Sequence, residues 1–226
     1  NMTPRTKEEI KHPAKKQGAN IWTWDMRREG ITCIPDIRFF VGFNGAKVIP
    51  GKYQARITIG DNQQIVPIEL QDDPRNDATE SQYIFLNSKI VEGTNLVNEI
   101  LTDLDIVRKA RDQIKGLMTD HDQLQQSGKK ALAHIRTWEE KINQVYFQVL
   151  EDEDAWPSML DVQVKHVVDV MDGAGAPVAA GALERLDDLK VMWADLKGEL
   201  DTIKSNDINV INDWAEQNNI RHVVAP

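Results

Sequence analysis

The stretch Pro50–Asp77, "PGKYQARITIGDNQQIVPIELQDDPRND", contains the point at which the chain changes period. Up to Leu70 apolar and polar residues alternate: Tyr53, Ala55, Ile57 and Ile59 are separated by Gln54, Arg56 and Thr58. Alternation is the signature of a pleated strand, whose successive side chains point to opposite faces. Pro50-Gly51 signals a turn into the strand, and "GDNQ" (Gly60–Gln63) a hairpin turn out of it. Val66, Ile68 and Leu70 then form the inward side of the returning strand, where Pro67 removes one ladder donor and suits an edge or a bulge. "QDDPRND" (Gln71–Asp77) ends the strands, and the period becomes that of helices.

Working upstream, "NIWTWDMR" places Asn20, Trp22, Trp24 and Met26 on one face and Ile21, Thr23 and Asp25 on the other. Between it and Pro50, "ITCIPDIRFFVGFNGAKVIP" is rich in Gly and Pro, with one short strand at Arg38–Val41. Residues 18–75 are therefore expected to form a small antiparallel β-sandwich of immunoglobulin-like type. Trp22 and Trp24 would be buried in it, and Asp25 and Arg27 would make polar pairs on the opposite face.

Downstream, residues 76–226 read as an antiparallel bundle of four or five helices, an α+β arrangement overall. The first helix runs from about Glu80 to Met118, with Val97, Ile100, Leu104, Val107, Ile114 and Leu117 on its stripe. Gly93 is expected to kink it or split off its first turns. A second, about Ser127 to Leu150, spaces Ile135, Trp138, Ile142, Val145 and Val149 by threes and fours. A third starts at Pro157 and ends near "DGAGAP", and a fourth starts near Val178 and carries Leu186, Leu189, Trp193, Leu196, Leu200 and Ile203. A short last helix from Ser205 or Asn206 presents Ile208, Ile211 and Trp214. Ile84 and Phe85 are expected to pack near the sandwich.

The chain has 226 residues and a net charge of -9, unevenly spread. Residues 1–76 hold 12 Lys/Arg against 9 Asp/Glu, the remainder 15 against 27. An acidic half repels phosphate backbones, which argues against nucleic acid. Residues 1–17, with the cluster "KHPAKK" (Lys11–Lys16), read as a solvated basic tail. No apolar run has the length of a membrane span. The chain opens on Asn1 rather than Met, as a processed product or a fragment would.

Chemistry-bearing patterns are sparse. Cys33 is the only cysteine, which excludes an internal disulfide, and no neighbouring base marks it as a nucleophile. The five histidines show no i, i+4 pair, so no metal site is expected. "EDEDAW" (Glu151–Trp156), Asp72-Asp73 and "DHD" (Asp120–Asp122) are carboxylate-rich, yet none lies in an apolar context that would raise a pKa for glycoside hydrolysis. "GAGAP" (Gly173–Pro177) lacks the Lys-Ser/Thr of a phosphate loop. The residues point to a non-enzyme without cofactor.

In order along the chain, "NIWTWDMR", "VIPGKYQARITIGDNQQIVPIEL", "DDPR", the helix after Pro157 and the Gly173–Pro177 turn resemble the C-terminal part of bacterial sortilin-like (BNR/Asp-box) β-propeller proteins. Such proteins are often described as glycosyl hydrolases. The likeness spans roughly residues 18–218 and is carried mainly by Asn20–Arg27, Pro50–Gly60 and Asp73–Arg75. It implies a part that follows the propeller, because the Ser-x-Asp-x-Gly-x-Thr-Trp repeat of the blades does not occur here. No catalytic residue carries over, and a fold label alone does not confer hydrolysis. The likeness implies a secreted or cell-envelope parent.

The leading expectation is a non-catalytic accessory module that packs on the propeller or on another protein. The alternatives are a carbohydrate-binding module that holds polysaccharide on Trp22, Trp24 and Tyr53, and a hydrolase fragment using Asp72, Asp73 and the "EDED" carboxylates.

Overall fold

The computed structural model describes residues 17–37, 42–147, 152 and 154–223. Two strands, β1 (Gly51–Ile59) and β2 (Asn62–Leu70), precede five helices: α1 (Glu80–Asp120), α2 (Gln125–Ile142), α3 (Leu160–Ala174), α4 (Ala180–Ile203) and α5 (Asn209–Gln217). A 3-10 turn at Asp122–Leu124 joins α1 to α2, and a π-helical turn at Lys204–Ile208 joins α4 to α5. The basic cluster Lys11–Lys16, His12, the strand expected at Arg38–Val41, and Glu151 and Glu153 lie outside the described residues.

The helices assemble as three rods. Thr79 starts the first with a capping box, its hydroxyl accepting from the Gln82 N–H while Gln82 accepts from the Thr79 N–H. Across α1 and α2, Arg111 meets Glu139, and the Cβ position of Gly128 lies 2.3 Å from the Met118 sulfur, so the two helices run antiparallel. Gly93 of α1 meets Val168 of α3, further down the same side. The second rod is thus α2 followed by α3, broken by residues 143–159. Glu92 pairs with Lys190 and Glu99 with Lys197, each at 2.5 Å, so α4 runs parallel to α1. The π turn lets the chain continue into α5, whose Trp214 reaches His121 at the far end of α1. A 41-residue α1 extends about 60 Å at the usual helical rise, and both other rods match it.

The core follows the apolar stripes. Val97, Ile100, Leu104, Ile114, Ile135, Trp138, Leu186, Leu189 and Trp193 are all buried. Trp138 fills its site with its polar end satisfied: the indole N–H donates to the Leu196 carbonyl at 2.8 Å. Trp214 is only half-buried. Gly93 does not split α1, which runs unbroken through it. A Cβ there would lie 2.6 Å from Val168 Cγ2, so its bare backbone is what admits α3.

No β-sandwich forms. The described residues contain one sheet, of two antiparallel strands. Asn20–Arg27 belongs to no sheet; an isolated bridge joins Arg27 to Lys47. Met26 to Ile31 and Phe43 to Val48 exchange three backbone hydrogen bonds, Val48 N–H to Met26 O, Arg28 N–H to Ala46 O and Ile31 N–H to Phe43 O. The physical reason for the missing second sheet lies in Ile31, Ile34 and Ile37. Their spacing of three puts them on one side of a strap, and all three are buried in the helical core. The strap climbs α1, with Arg28 bonded to Asn87, the Thr32 N–H to Asn98 Oδ1 at 2.7 Å, and Arg108 to the Pro35 carbonyl at 3.0 Å. Its apolar residues serve the bundle, leaving none to face the hairpin.

Ile84 and Phe85 do not pack toward the strands either; they are 57% and 45% exposed, while Leu86 and Ile90 turn inward. The second helix ends at Ile142 rather than near Leu150, and Val145 is exposed. Asn143 is in extended backbone there, its side chain drawn into the network described below.

Candidate functional site

Two places concentrate side chains that a helical rod does not require. The first is the hairpin. Gly60 at φ +58 opens a two-residue turn, and the register pairs Ile59 with Asn62, Ile57 with Gln64, Ala55 with Val66 and Tyr53 with Ile68. Tyr53, Ala55, Ile57, Ile59, Val66, Ile68 and Leu70 therefore share one face. At its base this face is half-covered. Trp24 meets Tyr53 edge-on, with ring centroids 5.8 Å apart at 64°. The Trp24 indole N–H donates to the Arg27 carbonyl at 3.1 Å, and the Tyr53 hydroxyl to the Ile49 carbonyl at 2.6 Å. Toward the tip the face is bare: Ile57 is 49% and Ile59 74% exposed, with Val66 exposed beside them and Ile65 on the reverse side. The strands pack on each other rather than on the helices.

Trp22, expected in a core, is 58% exposed. The Trp24 and Tyr53 rings stand edge to face and so form no flat platform between them. Asp25 accepts the Arg27 N–H at 3.0 Å, a local turn around Met26, which has φ +58. Arg27 reaches Asp172 at 3.1 Å and the Gly45 carbonyl at 2.9 Å, while the Lys47 N–H donates to the same Asp172 at 2.8 Å. One carboxylate at the end of α3 thus moors both sides of the strap below the hairpin.

The second place is the break between α2 and α3. Arg108 donates to Glu139 Oε1 at 2.7 Å and to Asn143 Oδ1 at 3.1 Å, and Arg111 donates to Glu139 Oε2 at 3.0 Å. Asn143 Nδ2 donates to Asp161 Oδ2 at 2.7 Å, and the Val162 N–H to Oδ1 at 2.7 Å. Asp161 has no exposed surface, and burial pushes its carboxyl up to about 7, against these hydrogen bonds and the Arg108 charge. An open cleft of about 710 Å³ beside it is lined by Arg108, Arg111, Lys115, Arg136, Glu139 and Tyr146, among others. The two arginines are committed to Glu139 and Asn143, so the network braces the point where the second rod is interrupted.

Of the carboxylates named from sequence, Asp72 and Asp73 have structural partners. Asp73 takes two hydrogen bonds from the Arg75 guanidinium, which hold its carboxyl below the usual range. Asp72 accepts from the Tyr83 hydroxyl at 2.6 Å, and burial together with that bond pushes Tyr83 up to about 12. Both residues fasten the turn from β2 into α1. Asp207, buried in the π turn, accepts from His134 at 2.6 Å and lies 3.0 Å from the Lys130 ammonium. Burial alone would raise its pKa; the hydrogen bonds from His134 and Lys130 more than offset this and lower it. Cys33 is half-buried against the core. Among the described residues no group of three or more His, Cys, Asp or Glu is placed to hold a metal ion.

Sequence reading named Tyr53 and the two tryptophans, and the structure brings Trp24 and Tyr53 together. It missed the bare hairpin tip and the Asp161 network. The tip had a visible signal in its alternating isoleucines; the network had none, because its members come from three helices. No protein-family model, curated protein or solved structure matches the chain. Among the described residues no helix is long and apolar enough to cross a membrane.

Proposed function

We propose that this chain is a non-catalytic accessory module: a three-rod helical spacer carrying a hairpin that docks on another folded domain. The observation that supports this reading is the bare tip, with Ile57, Ile59 and Val66 exposed on one face of the two-stranded sheet, whose strands pack mainly on each other among the described residues. An isolated two-stranded hairpin is marginal in water, and a clustered apolar face is characteristic of a contact surface. The likeness of the chain's motifs to the part that follows a sortilin-like propeller makes such a propeller the partner of choice, in a secreted or envelope setting.

Hydrogen exchange tests it. On mixing the chain with a separately produced sortilin-like propeller domain, amides of β1 and β2 should slow at least tenfold, with α1 to α4 unchanged. Hairpin exchange that is identical with and without the propeller contradicts the reading.

A second reading, carbohydrate binding, draws support from one observation: the Trp22 ring is exposed. Stacking on a sugar requires an open aromatic face. Affinity electrophoresis on several polysaccharides distinguishes the two. Retardation that Trp22→Ala abolishes without altering thermal stability would favour the sugar; no retardation removes this reading.

A further inference from the structure

The hairpin has two outer edges, and they are not equivalent. In a hairpin closed by a two-residue turn the closing pair is hydrogen-bonded, and every second pair after it. Ile59 and Asn62 close this one, so Ile57–Gln64, Ala55–Val66 and Tyr53–Ile68 bond across the ladder. The backbone groups of the intervening residues point outward: Lys52, Gln54, Arg56 and Thr58 on β1, and Gln63, Ile65, Pro67 and Glu69 on β2. Pro67 thus has its missing donor on the outer edge of β2, in the middle of the row. A strand cannot add there without losing a central hydrogen bond, which is how edges are protected from pairing.

The outer edge of β1 has no such block. Among the described residues its outward backbone groups make no hydrogen bond beyond the hairpin. Two of the four side chains in its outward row, Lys52 and Arg56, are cationic and none is acidic. Lys52 and Arg56 stand two apart in the outward-pointing row, and neither forms an ion pair among the described residues. Arg56 lies opposite Ile65, so its own hairpin offers it no acid. On the other face the same edge presents Tyr53, Ala55 and Ile57.

We infer that β1 accepts an added antiparallel strand from its partner, one whose residues alternate between acidic or polar side chains and β-branched apolar ones. The acids sit against Lys52 and Arg56, and the apolar residues extend the Tyr53–Ala55–Ile57 face over the bare tip. Main-chain hydrogen bonds supply the attachment, and side-chain alternation supplies the choice of strand. The inference rests on the docking role proposed above and names the chemistry of the docked segment. A strand with lysines at the same positions would set like charges opposite one another.

The probe is the capped peptide Glu-Val-Thr-Val-Glu-Val-Thr, with Lys-Val-Thr-Val-Lys-Val-Thr as its counterpart, titrated into the whole chain while amide exchange is followed residue by residue. The acidic peptide should slow Lys52, Gln54, Arg56 and Thr58 selectively, leave Ile65 and Glu69 unchanged, and bind at least tenfold tighter than the basic one. Gln54→Pro, which removes an outward N–H and no ladder bond, should abolish binding. Arg56→Glu should cancel the preference between the two peptides, and Lys52→Glu combined with Arg56→Glu should reverse it. Equal binding of both peptides to the native chain, protection on β2 instead, or full binding to Gln54→Pro overturns the proposal. If Gln54→Pro loses the peptide but a sortilin-like propeller still protects the hairpin, strand addition is not how the propeller docks, and face packing alone remains. If the propeller gives no protection and the peptide binds as described, the edge stands and the propeller is the wrong partner.

Discussion

Asp161 is the residue whose environment departs furthest from water, and its consequence is a pH dependence of unusual sign. Its folded pKa, about 7, lies above its value of 3.8 in an unfolded chain. From about pH 4 to about pH 7 the unfolded chain gives up this proton while the folded one keeps it, so stability falls as pH rises through that window. Burial raises Asp103 in the same direction. Glu92 and Glu99, lowered mainly by hydrogen bonds from Lys190, Lys89 and Lys197, affect stability only at more acid pH. Calorimetry should show a lower melting temperature at pH 8 than at pH 5, with a flatter profile in Asp161→Asn. A native chain that gains stability across this range would mean that the brace holds Asp161 ionised. The tryptophans divide in the same residue-level way. Trp193→Ala, which empties a buried site next to Trp138, should cost about 3–5 kcal/mol. Trp22→Ala, at the surface, should stay within about 0.5 kcal/mol in the same denaturant titration.

At the scale of elements, close approach decides what propensity does not. Alanine is favoured over glycine inside a helix by about 1 kcal/mol. At Gly93, however, the added carbon would stand 2.6 Å from Val168, and overpacking costs about 1–3 kcal/mol. Gly93→Ala should therefore destabilise the chain by about 1 kcal/mol, and should become stabilising when Val168→Ala is already present. A stabilising Gly93→Ala in the otherwise native chain would show that α3 sits further away. Elements were legible from sequence to the extent that their pattern is local. Alternation over Tyr53–Leu70 marks two strands and the turn between them, which the structure closes at Ile59–Asn62, and the start of α1 at Glu80 coincides with the expected one. Alternation over Asn20–Met26 predicts a strand that joins no sheet, because a strand's existence depends on a partner that its own residues do not encode. The stop at Ile142 was equally invisible. It depends on Asn143 bonding to Arg108 and Asp161, which lie 35 residues before it and 18 residues after it.

For the whole molecule, the structure is a rod with a strap along it and a hairpin at one end. The strap shares the core of the rod, through Ile31, Ile34 and Ile37, and is moored by Asp172. The hairpin shares almost nothing with either. Replacing Ile57 and Ile59 together by Thr should leave the midpoint of bundle unfolding within about 0.5 kcal/mol of native, as for surface changes, since both side chains are exposed. A loss of several kcal/mol would place the hairpin inside the cooperative unit. The candidate site was half legible for a related reason. Aromatic and apolar residues on the hairpin can be read from its alternation, whereas their exposure follows from where the strap's isoleucines go.

The most direct test of the account is native-state hydrogen exchange of the chain alone. Amides of Val97, Ile100, Trp138 and Leu189 should exchange only by global unfolding, while those of Ala55, Ile57, Gln64 and Val66 should exchange through local opening, orders of magnitude faster. Hairpin amides as slow as those of the core would contradict it, because such protection requires a covering layer that an uncovered docking hairpin does not have.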